Sequence, residues 1–230
     1  MKKNIKLMDT NFISTYLSKN LAPPPYNIII ANGLFPKKIT FLLEHKNFIV
    51  CCDGAIIKLL RKNVLPDFII GDCDSIPIKI LNSLSDKVIK IDDQNTNDLT
   101  KAVVFCKNKL YLDTLIILGA TGLREDHTIA NIFLLYEYFK LVKNVVLISD
   151  FGIFTVHLGK FKLETVIGQQ ISFYSPYCKV NISCNNLKWP LNNFLLNTMY
   201  QATLNEALDS FIEGEAKEPI IIFRSFELKF

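Results

Sequence analysis

Two aspartates that are separated by a single residue, Asp72 and Asp74, follow the apolar run Phe68–Ile70 and a glycine. Residues two apart in an extended segment point to the same side, so the two carboxylates would face one site about 6 Å apart. At an effective dielectric constant near 20, such a pair repels by roughly 3 kcal/mol. A divalent cation reverses the sign of that interaction, and oxygen-only ligands suit magnesium. The pair predicts a Mg²⁺ site, with turn or helix-capping aspartates as the alternative.

Polar clusters also follow the other predicted strands of the same region. They are Asn32-Gly33, Asp53-Gly54, Asp92–Asp98 and Gly119–His127. In an open parallel sheet, ligands bind outside the carboxyl ends of the strands. The clusters therefore predict one crevice, lined by acidic residues, at that edge of the sheet.

Two of these clusters lead into predicted helices. Asp98 begins a helix, where it could simply complement the helix dipole, and Lys101 lies one turn further on the same face. The glycine loop GATGLREDH precedes another helix, and a helix N-terminus is a natural site for phosphate. Arg124 is suited to clamp a phosphate, Asp126 to cap the helix or bind a ligand, and His127 to act as an acid–base group or pack at the helix start. Such a crevice predicts chemistry on a polyphosphate.

The chain around these clusters alternates short β-branched runs with helix-length amphipathic segments. The predicted strands are Asn27–Ala31, Phe48–Cys52, Phe68–Ile70, Lys87–Ile91, Thr114–Leu118 and Asn144–Ser149. The predicted helices lie near 36–46, 54–63, 97–109 and 126–141. Apolar strands separated by helices are typical of a parallel sheet that is covered on both faces. Residues 26–150 are therefore predicted to form a three-layer, Rossmann-like α/β domain.

Another pattern begins near Asp150. Short segments in which polar and apolar residues alternate predict an antiparallel sheet with one wet face; they are FTVHL, KFKLETV, QQISFYS, KVNISC and PIIIFRSF. Residues 151–230 are therefore predicted to form a second, mainly β domain. Residues 1–25 are predicted to be an N-terminal extension with a short helix, which the run Pro23-Pro24-Pro25 ends.

Composition narrows the class of protein. Half of the 230 residues are hydrophobic and 21% are charged, so the chain can fill a core. The net charge is only +4 and the basic residues form no concentrated stripe, so no nucleic-acid partner is predicted. No apolar run reaches the roughly 18 residues of a membrane span, and no membrane association is predicted. Six cysteines without a CxxC pair favour a reduced, cytoplasmic setting.

Several motifs, in this order, resemble those of the thiamine pyrophosphokinase (thiamine diphosphokinase) family. They are PDFIIGDCDSI, DQNTNDLTKA and GLREDHTIAN, followed by NLKWPL and QATLNEA, and the similarity runs from about Ile28 to Phe223. The resemblance implies an N-terminal α/β domain and a C-terminal antiparallel β-sandwich. It implies transfer of a pyrophosphoryl group from ATP to the hydroxyl of thiamine, giving thiamine diphosphate and AMP. It also implies a magnesium-dependent homodimer with the thiamine site near the subunit interface.

Matching the motifs position by position implies roles for individual residues. Magnesium and the phosphates would be held by Asp72, Asp74 and Asp98, with Arg124 and Asp126 beside the transferring group. ATP would be contacted by Asn32, Asp53, Gly54, Asp72, Lys101, Arg124 and His127. The thiamine site would be lined by Gln94, Asp98, Trp189, Thr203 and Asn205. Either Asp98 or Asp126 could orient the attacking hydroxyl.

Two residues of the thiamine set keep an alternative interpretation. Trp189 is the only tryptophan, and its face would attract a cationic ring such as thiazolium, but it could also be a core or interface residue. Asn205 could be an amide ligand or a loop residue at the end of a strand. His45 and His157 have no supporting neighbours and are interpreted as structural or surface residues.

The chain departs from the family's pattern in three loops. Asp-Gly-Gly-Ala-Asn is replaced by Asp53–Ile57, Gly-Gly-Arg by Gly122–Arg124, and Ser-Thr-Ser-Asn by Ala202–Asn205. The first change affects nucleotide contacts, the second reduces backbone freedom, and the third removes two hydroxyls from the thiamine side.

Two alternative functions stay open. One is a metal-dependent nucleotide-sugar transferase, because Asp-x-Asp also binds metal–diphosphate donors. The other is a thiamine- or nucleotide-binding protein without catalysis, because of these departures.

Overall fold

The structure is a computed structural model that describes residues 5–38, 40–176, 179–199 and 201–229. The chain divides into two compact units. The α/β unit spans Pro23–Ser149, and the β-rich unit joins the N-terminal segment up to Ala22 with the chain from Asp150 onward. Within the described residues, no helix is both long and apolar enough to cross a membrane.

The elements up to residue 149 alternate between strands and helices as the sequence pattern predicts. In chain order they are β1 (Ile5–Leu7), α1 (Thr10–Asn20), β2 (Tyr26–Ile30), α2 (Phe41–Glu44), β3 (Lys46–Cys52), α3 (Ile56–Leu60), β4 (Phe68–Gly71), α4 (Ile78–Ser83), β5 (Val88–Lys90), α5 (Asp98–Lys109), β6 (Thr114–Leu118), α6 (Glu125–Leu141) and β7 (Asn144–Ile148). A short 3₁₀ turn, Asp53–Ala55, joins β3 to α3.

The six strands of the α/β unit form a parallel sheet in the order β7-β6-β2-β3-β4-β5. Three consecutive residues of β2, Ile28, Ile29 and Ile30, are fully buried. Because successive strand residues point to opposite faces, both faces of the sheet are covered at this strand. The chain order reverses at β2, which lies between β3 and β6, and such a switch point leaves a crevice at the carboxyl ends of the strands.

Helix boundaries differ from the predicted ones where local backbone conformation intervenes. The predicted helix 54–63 is α3 and ends at Leu60, and Asn63 adopts a positive φ of 56° that no α-helix continues. The predicted helix 36–46 is reduced to α2. Helix α4 was not predicted, because it buries none of its residues and so has no apolar stripe.

The β-rich unit is antiparallel throughout its described strand pairs. Its remaining elements are β8 (Gly152–Glu164), β9 (Gln169–Tyr174), β10 (Val180–Asn185), β11 (Leu191–Leu196), β12 (Ala202–Glu206) and β13 (Phe211–Lys229). Strand β13 pairs with β1, β8, β9 and β10, while β11 extends β10 and β12 extends β9. The segments FTVHL and KFKLETV lie largely in one strand, β8, which contains Gly159 at a φ of 73°. The core of this unit includes Ile171, Phe173 and Ile222.

The N-terminal segment belongs to the β-rich unit, whereas the sequence alone suggested an extension over residues 1–25. Strand β1 pairs with the end of β13, with Ile5 opposite Lys229. Helix α1 buries Ile13, Tyr16 and Leu17, and the ring of Tyr16 meets that of Phe226 edge-on at 6.3 Å. The apolar side of the helix is buried in this way, so the described part of the segment is integral to the unit.

Candidate functional site

Three carboxylates converge at the carboxyl ends of neighbouring strands in the α/β unit. One oxygen each from Asp53, Asp72 and Asp74 lies within 4.8 Å of the other two. Asp53 follows β3 in the 3₁₀ turn, and the two other aspartates follow β4. Because β3 and β4 are paired in parallel, their ends bring these side chains together. This set of oxygen donors suits a hard divalent cation.

Asp53 is the buried member of this carboxylate cluster, with 2% of its surface exposed. Its carboxylate accepts hydrogen bonds from the backbone N–H of Gly54 and, at 3.0 Å, from that of Cys73. Burial and the nearby charge of Asp98 raise its pKa to about 6, although these two hydrogen bonds oppose the shift. A Cβ on Gly71 would lie 2.5 Å from the carboxyl carbon of Asp53, so only glycine fits there.

Asp72 is the half-buried member of the cluster, and it connects the cluster to the predicted thiamine side. Its Oδ1 accepts from the backbone N–H of Asp74 at 3.3 Å, and its Oδ2 accepts from Gln94 Nε2 at 3.4 Å. These two hydrogen bonds lower the pKa of Asp72, so its carboxylate is charged at neutral pH. Gln94 is thereby placed next to the acidic cluster.

Asp98 lies beside this cluster at the start of α5. The preceding residue, Asn97, caps the helix by accepting from the N–H of Thr100 at 2.8 Å. Asp98 pairs with Lys101 Nζ at 3.0 Å, and the lysine side chain is almost entirely buried. Burial lowers the pKa of Lys101, but the ion pair outweighs it and the net shift is upward. Lys101 thus contacts the predicted site through Asp98.

A cavity of about 420 Å³ lies at the switch point of the sheet, a volume typical of small-molecule sites. Four of the predicted site residues line it: Asn32, Asp98, Arg124 and His127. The loops after β2 and β6 form two of its walls, and the start of α6 forms another. These loops approach so closely that the N–H of Gly33 donates to the carbonyl of Gly119 at 2.5 Å.

Arg124 and Asp126, which the sequence placed beside the transferring group, form a two-point ion pair. Arg124 Nε donates to Asp126 Oδ1 at 3.1 Å, and its Nη2 donates to Oδ2 at 2.5 Å. The guanidinium lowers the pKa of Asp126 to about 2, helped by a hydrogen bond from the backbone N–H of His127. Both side chains are exposed, so a phosphate could take over the guanidinium.

Lys58 is a cavity residue that the sequence analysis did not identify. It extends from α3, and its Nζ donates to the backbone carbonyls of Asn32 and, at 3.1 Å, Gly33. Burial lowers its pKa. The signal in the sequence was weak, because a lysine one turn into a short helix is normally a solvated surface residue.

The glycine loop before α6 has two consecutive residues in the left-handed region of backbone conformation. Gly122 has a φ of 75° and Leu123 a φ of 68°. Leu123 is exposed, so its side chain is accommodated in solvent, but the left-handed conformation costs roughly 1–2 kcal/mol for a residue with a Cβ.

The other part of the predicted thiamine set lies in the β-rich unit. Trp189 is 56% exposed, so it is not a core residue of this unit. Thr203 lies half-buried in β12, and Asn205, in the same strand, is 4% exposed. The predicted set is thus divided, because Gln94 and Asp98 belong to the α/β unit.

The fold and site together define a class: α/β proteins with a carboxylate cluster and a nucleotide-sized cavity at the switch point of a parallel sheet. The sequence model described as "Thiamin pyrophosphokinase, catalytic domain" matches residues 39–147. The model described as "Thiamin pyrophosphokinase, substrate-binding domain" matches residues 152–223. The chain belongs to the thiamin pyrophosphokinase family.

Individual relatives agree with this assignment. Thiamine pyrophosphokinase 1 of Arabidopsis thaliana is 28% identical over 200 residues, which cover 73% of each chain. The crystal structure of thiamine pyrophosphokinase from Bacillus subtilis superposes with a TM-score of 0.76 at 24% identity, covering 87% of this chain and 99% of that one. The yeast enzyme gives a TM-score of 0.72 at 17% identity, with 94% and 90% coverage. At these identities, the two structures show a shared mixed α/β fold with a sheet-rich C-terminal part.

Proposed function

We propose that this protein is a thiamine diphosphokinase, which transfers the pyrophosphoryl group of ATP to the hydroxyl of thiamine. The observation that carries the proposal is the convergence of Asp53, Asp72 and Asp74 beside a nucleotide-sized cavity, within the stretch that matches the family's catalytic domain. The hydroxyl oxygen bonds to the β-phosphorus of ATP. The bond from that phosphorus to the oxygen bridging to the α-phosphate breaks, and AMP leaves with that oxygen.

The residues present fit a magnesium ion, which this reaction class requires to neutralise phosphate charge. The donors are all carboxylate oxygens, and because burial and the charge of Asp98 raise the pKa of Asp53, a cation would compensate a costly negative charge there. Asp53, Asp72 and Asp74 would hold the ion, with Asp98 adjacent to Asp53. When bound, the ion would polarise the phosphate oxygens next to it.

The cavity supplies cationic groups for the triphosphate. Arg124 would exchange its partner Asp126 for a phosphate at the N-terminus of α6, where the helix dipole also favours negative charge. His127 and Asn32 line the same cavity. Lys58 would add a positive charge while it fixes the loop at Asn32 and Gly33.

For the acceptor, Asp98 is the carboxylate that we propose orients the thiamine hydroxyl. It lines the cavity and borders the carboxylate cluster next to Asp53. Gln94, beside Asp72, together with Trp189 and Thr203 would recognise the thiamine rings. The hydroxyl proton would be lost to Asp98 or, through it, to solvent.

We also propose an architecture for each unit and an assembly state for the protein. The α/β unit would be Rossmann-like with three layers, which the burial of both sheet faces at β2 supports. The β-rich unit would be a β-sandwich. An exposed Trp189 is consistent with a homodimer whose thiamine sites lie near the subunit interface. The cytoplasmic setting is proposed from the cysteine pattern of the sequence alone.

The direct test incubates the purified protein with ATP, MgCl₂ and thiamine and separates the products by chromatography. AMP and thiamine diphosphate in equal amounts are expected. ADP with thiamine monophosphate would overturn the transfer of a pyrophosphoryl group. Neither product from folded protein would overturn the activity itself, and thiamine binding without turnover would then indicate a binding protein.

A further inference from the structure

Asn205 makes a reciprocal contact with the backbone of Trp189. Its Nδ2 donates to the carbonyl of Trp189 at 2.7 Å, and its Oδ1 accepts from the N–H of the same residue at 3.2 Å. The same oxygen also accepts from the N–H of Glu206 at 2.9 Å. The amide is therefore committed to backbone groups, and at 4% exposure it presents almost no surface to a ligand.

This contact fixes the direction in which the indole projects. The N–H and C=O of one residue point to the same side only when its backbone is extended, as in the hydrogen-bonded pairs of an antiparallel ladder. Pro190 follows Trp189 and independently disfavours helical backbone at that residue. With both peptide groups held, the Cα–Cβ bond of Trp189 has one orientation, although the ring itself is largely exposed.

Two further contacts hold the flanking residues in the same register. Leu187 forms an isolated antiparallel bridge with Ala207, and Lys188 Nζ pairs with Glu206 at 3.2 Å. Lys188 also lies 5.3 Å from the centre of the Trp189 ring. The segment 187–189 is thus laid alongside 205–207, with Asn205 as its outermost tether.

A bulge in β12 turns Asn205 inward. The pairing of β12 with β9 shifts register between Ala202 and Asn205. Leu204 takes a φ of 59° there, and its N–H donates to Ser172 Oγ at 3.0 Å. Leu204 is consequently exposed while its neighbour is buried. The bulge therefore leaves the side chain of Leu204 in solvent and directs that of Asn205 to the backbone of Trp189.

We propose that Asn205 is a positioning residue for the acceptor, which acts through Trp189 and not by contact with thiamine. The proposal rests on the proposed function, since it takes Trp189 as the residue that receives the acceptor ring.

The single tryptophan makes the contact measurable without substrate. In ligand-free protein, Asn205→Leu is expected to lower the fluorescence anisotropy of Trp189 and to increase its quenching by acrylamide, because Leu has similar volume but no hydrogen bonds. Asn192→Ala, at an exposed asparagine of β11, is the matched control and should change neither signal. Unchanged anisotropy and quenching in folded Asn205→Leu would overturn the positioning role.

Enzyme kinetics then distinguish an effect of Asn205 through Trp189 from direct contact of Asn205 with thiamine. The KM for thiamine should rise about tenfold in Asn205→Leu, as expected for the loss of two neutral hydrogen bonds, while the KM for ATP stays within about twofold. In a Trp189→Ala background the same substitution should have no further effect on the KM for thiamine. Additive effects would show direct contact and contradict the proposal, as would a lowered urea midpoint with an unchanged KM for thiamine.

Failure of the proposed function is recognised separately. Wild-type protein that forms no AMP with thiamine would contradict the function, whereas the ligand-free fluorescence comparison would still decide whether Asn205 holds Trp189. Active wild-type protein with an unchanged KM for thiamine in Asn205→Leu would contradict the positioning role alone.

Discussion

Asp53 is the single residue on which the chemistry of the carboxylate cluster depends most. Sequence spacing identified Asp72 and Asp74 as a pair, since residues two apart in an extended segment share a side. The sequence placed Asp53 in the same crevice and, by resemblance, among the ATP contacts. It did not join Asp53 to this pair, because that contact depends on the pairing of β3 with β4 and on the missing side chain at Gly71. Asp98, which the family motif placed among the metal ligands, pairs with Lys101 and borders Asp53, and its role as a ligand stays a prediction.

The raised pKa of Asp53 predicts how stability responds to pH. Its folded pKa of about 6 exceeds the unfolded value of 3.8, so between these values the native state binds more protons than the unfolded state. The contribution of Asp53 to the free energy of unfolding therefore falls as pH rises from about 4 to about 6. In urea unfolding without Mg²⁺, the wild type should have a lower free energy of unfolding than Asp53→Asn. This deficit of the wild type should grow as the pH rises over this range.

Magnesium provides the control for that comparison. Millimolar Mg²⁺ should reduce the deficit of the wild type above pH 6, because it compensates the buried negative charge, and it should affect Asp53→Asn much less. A difference between the two proteins that does not vary with pH would show that folding does not change the pKa of Asp53, which would contradict this prediction.

Lys58 gives a second prediction at the scale of single residues. Lys58→Met keeps the stem of the side chain but removes the charge that fixes the loop at Asn32 and Gly33. We expect the KM for ATP to rise roughly tenfold, the value of one charge-assisted contact, with little change in the KM for thiamine. Lys79→Met on α4 is the control, since Lys79 is exposed and does not line the cavity. Equal effects on both substrates would argue against a role in nucleotide binding.

At the scale of elements, the predicted strands of the α/β unit are the most accurate part of the sequence analysis. Continuous apolar runs such as Ile28–Ile30 mark strands that are buried on both faces. The β-rich unit was predicted less well, because β13 runs for 19 residues and serves four partner strands, which no local alternation specifies. Backbone conformations such as the left-handed Leu123 are likewise invisible in a hydrophobic pattern.

Leu123 predicts a substitution that stabilises the protein. Replacing a left-handed leucine with glycine removes the steric cost of its Cβ, which exceeds the entropy that glycine adds to the unfolded chain. Leu123→Gly should therefore raise the free energy of unfolding by about 1 kcal/mol in urea titrations. Thr121→Gly, in the same loop but without a positive φ, should lower it. A loss of stability in both variants would show that the loop is not strained.

At the scale of the whole molecule, the N-terminal segment is tied to the β-rich unit through a buried cation. Arg224 is fully buried, and its Nη1 donates to Asn20 Oδ1 and, at 3.0 Å, to the carbonyl of Glu164. Its guanidinium also lies 5.9 Å from the centre of the Tyr16 ring. Residues 20 and 224 are at opposite ends of the chain, so no local pattern could have paired them.

The contact between Asn20 and Arg224 predicts how much the N-terminal helix depends on this hydrogen bond for its stability. Asn20→Ala removes an acceptor from a buried guanidinium, which should lower the free energy of unfolding by about 1–3 kcal/mol. Asn11→Ala, at an exposed position of the same helix, should change stability by less than about 0.5 kcal/mol. Equal unfolding midpoints for the two variants in urea would show that the N-terminal helix does not depend on this contact.

The account as a whole requires that the carboxylates at the strand ends serve catalysis and not the fold, and Asp72→Asn tests this most directly. Because Asp72 is only half-buried and neighbours two other carboxylates, its neutralisation should leave the urea midpoint unchanged. The rate of AMP formation from ATP, Mg²⁺ and thiamine should fall roughly a thousandfold. Asp113→Asn, at a surface aspartate paired with Lys107, should retain full activity. Normal turnover by Asp72→Asn would contradict the assignment of the carboxylate cluster.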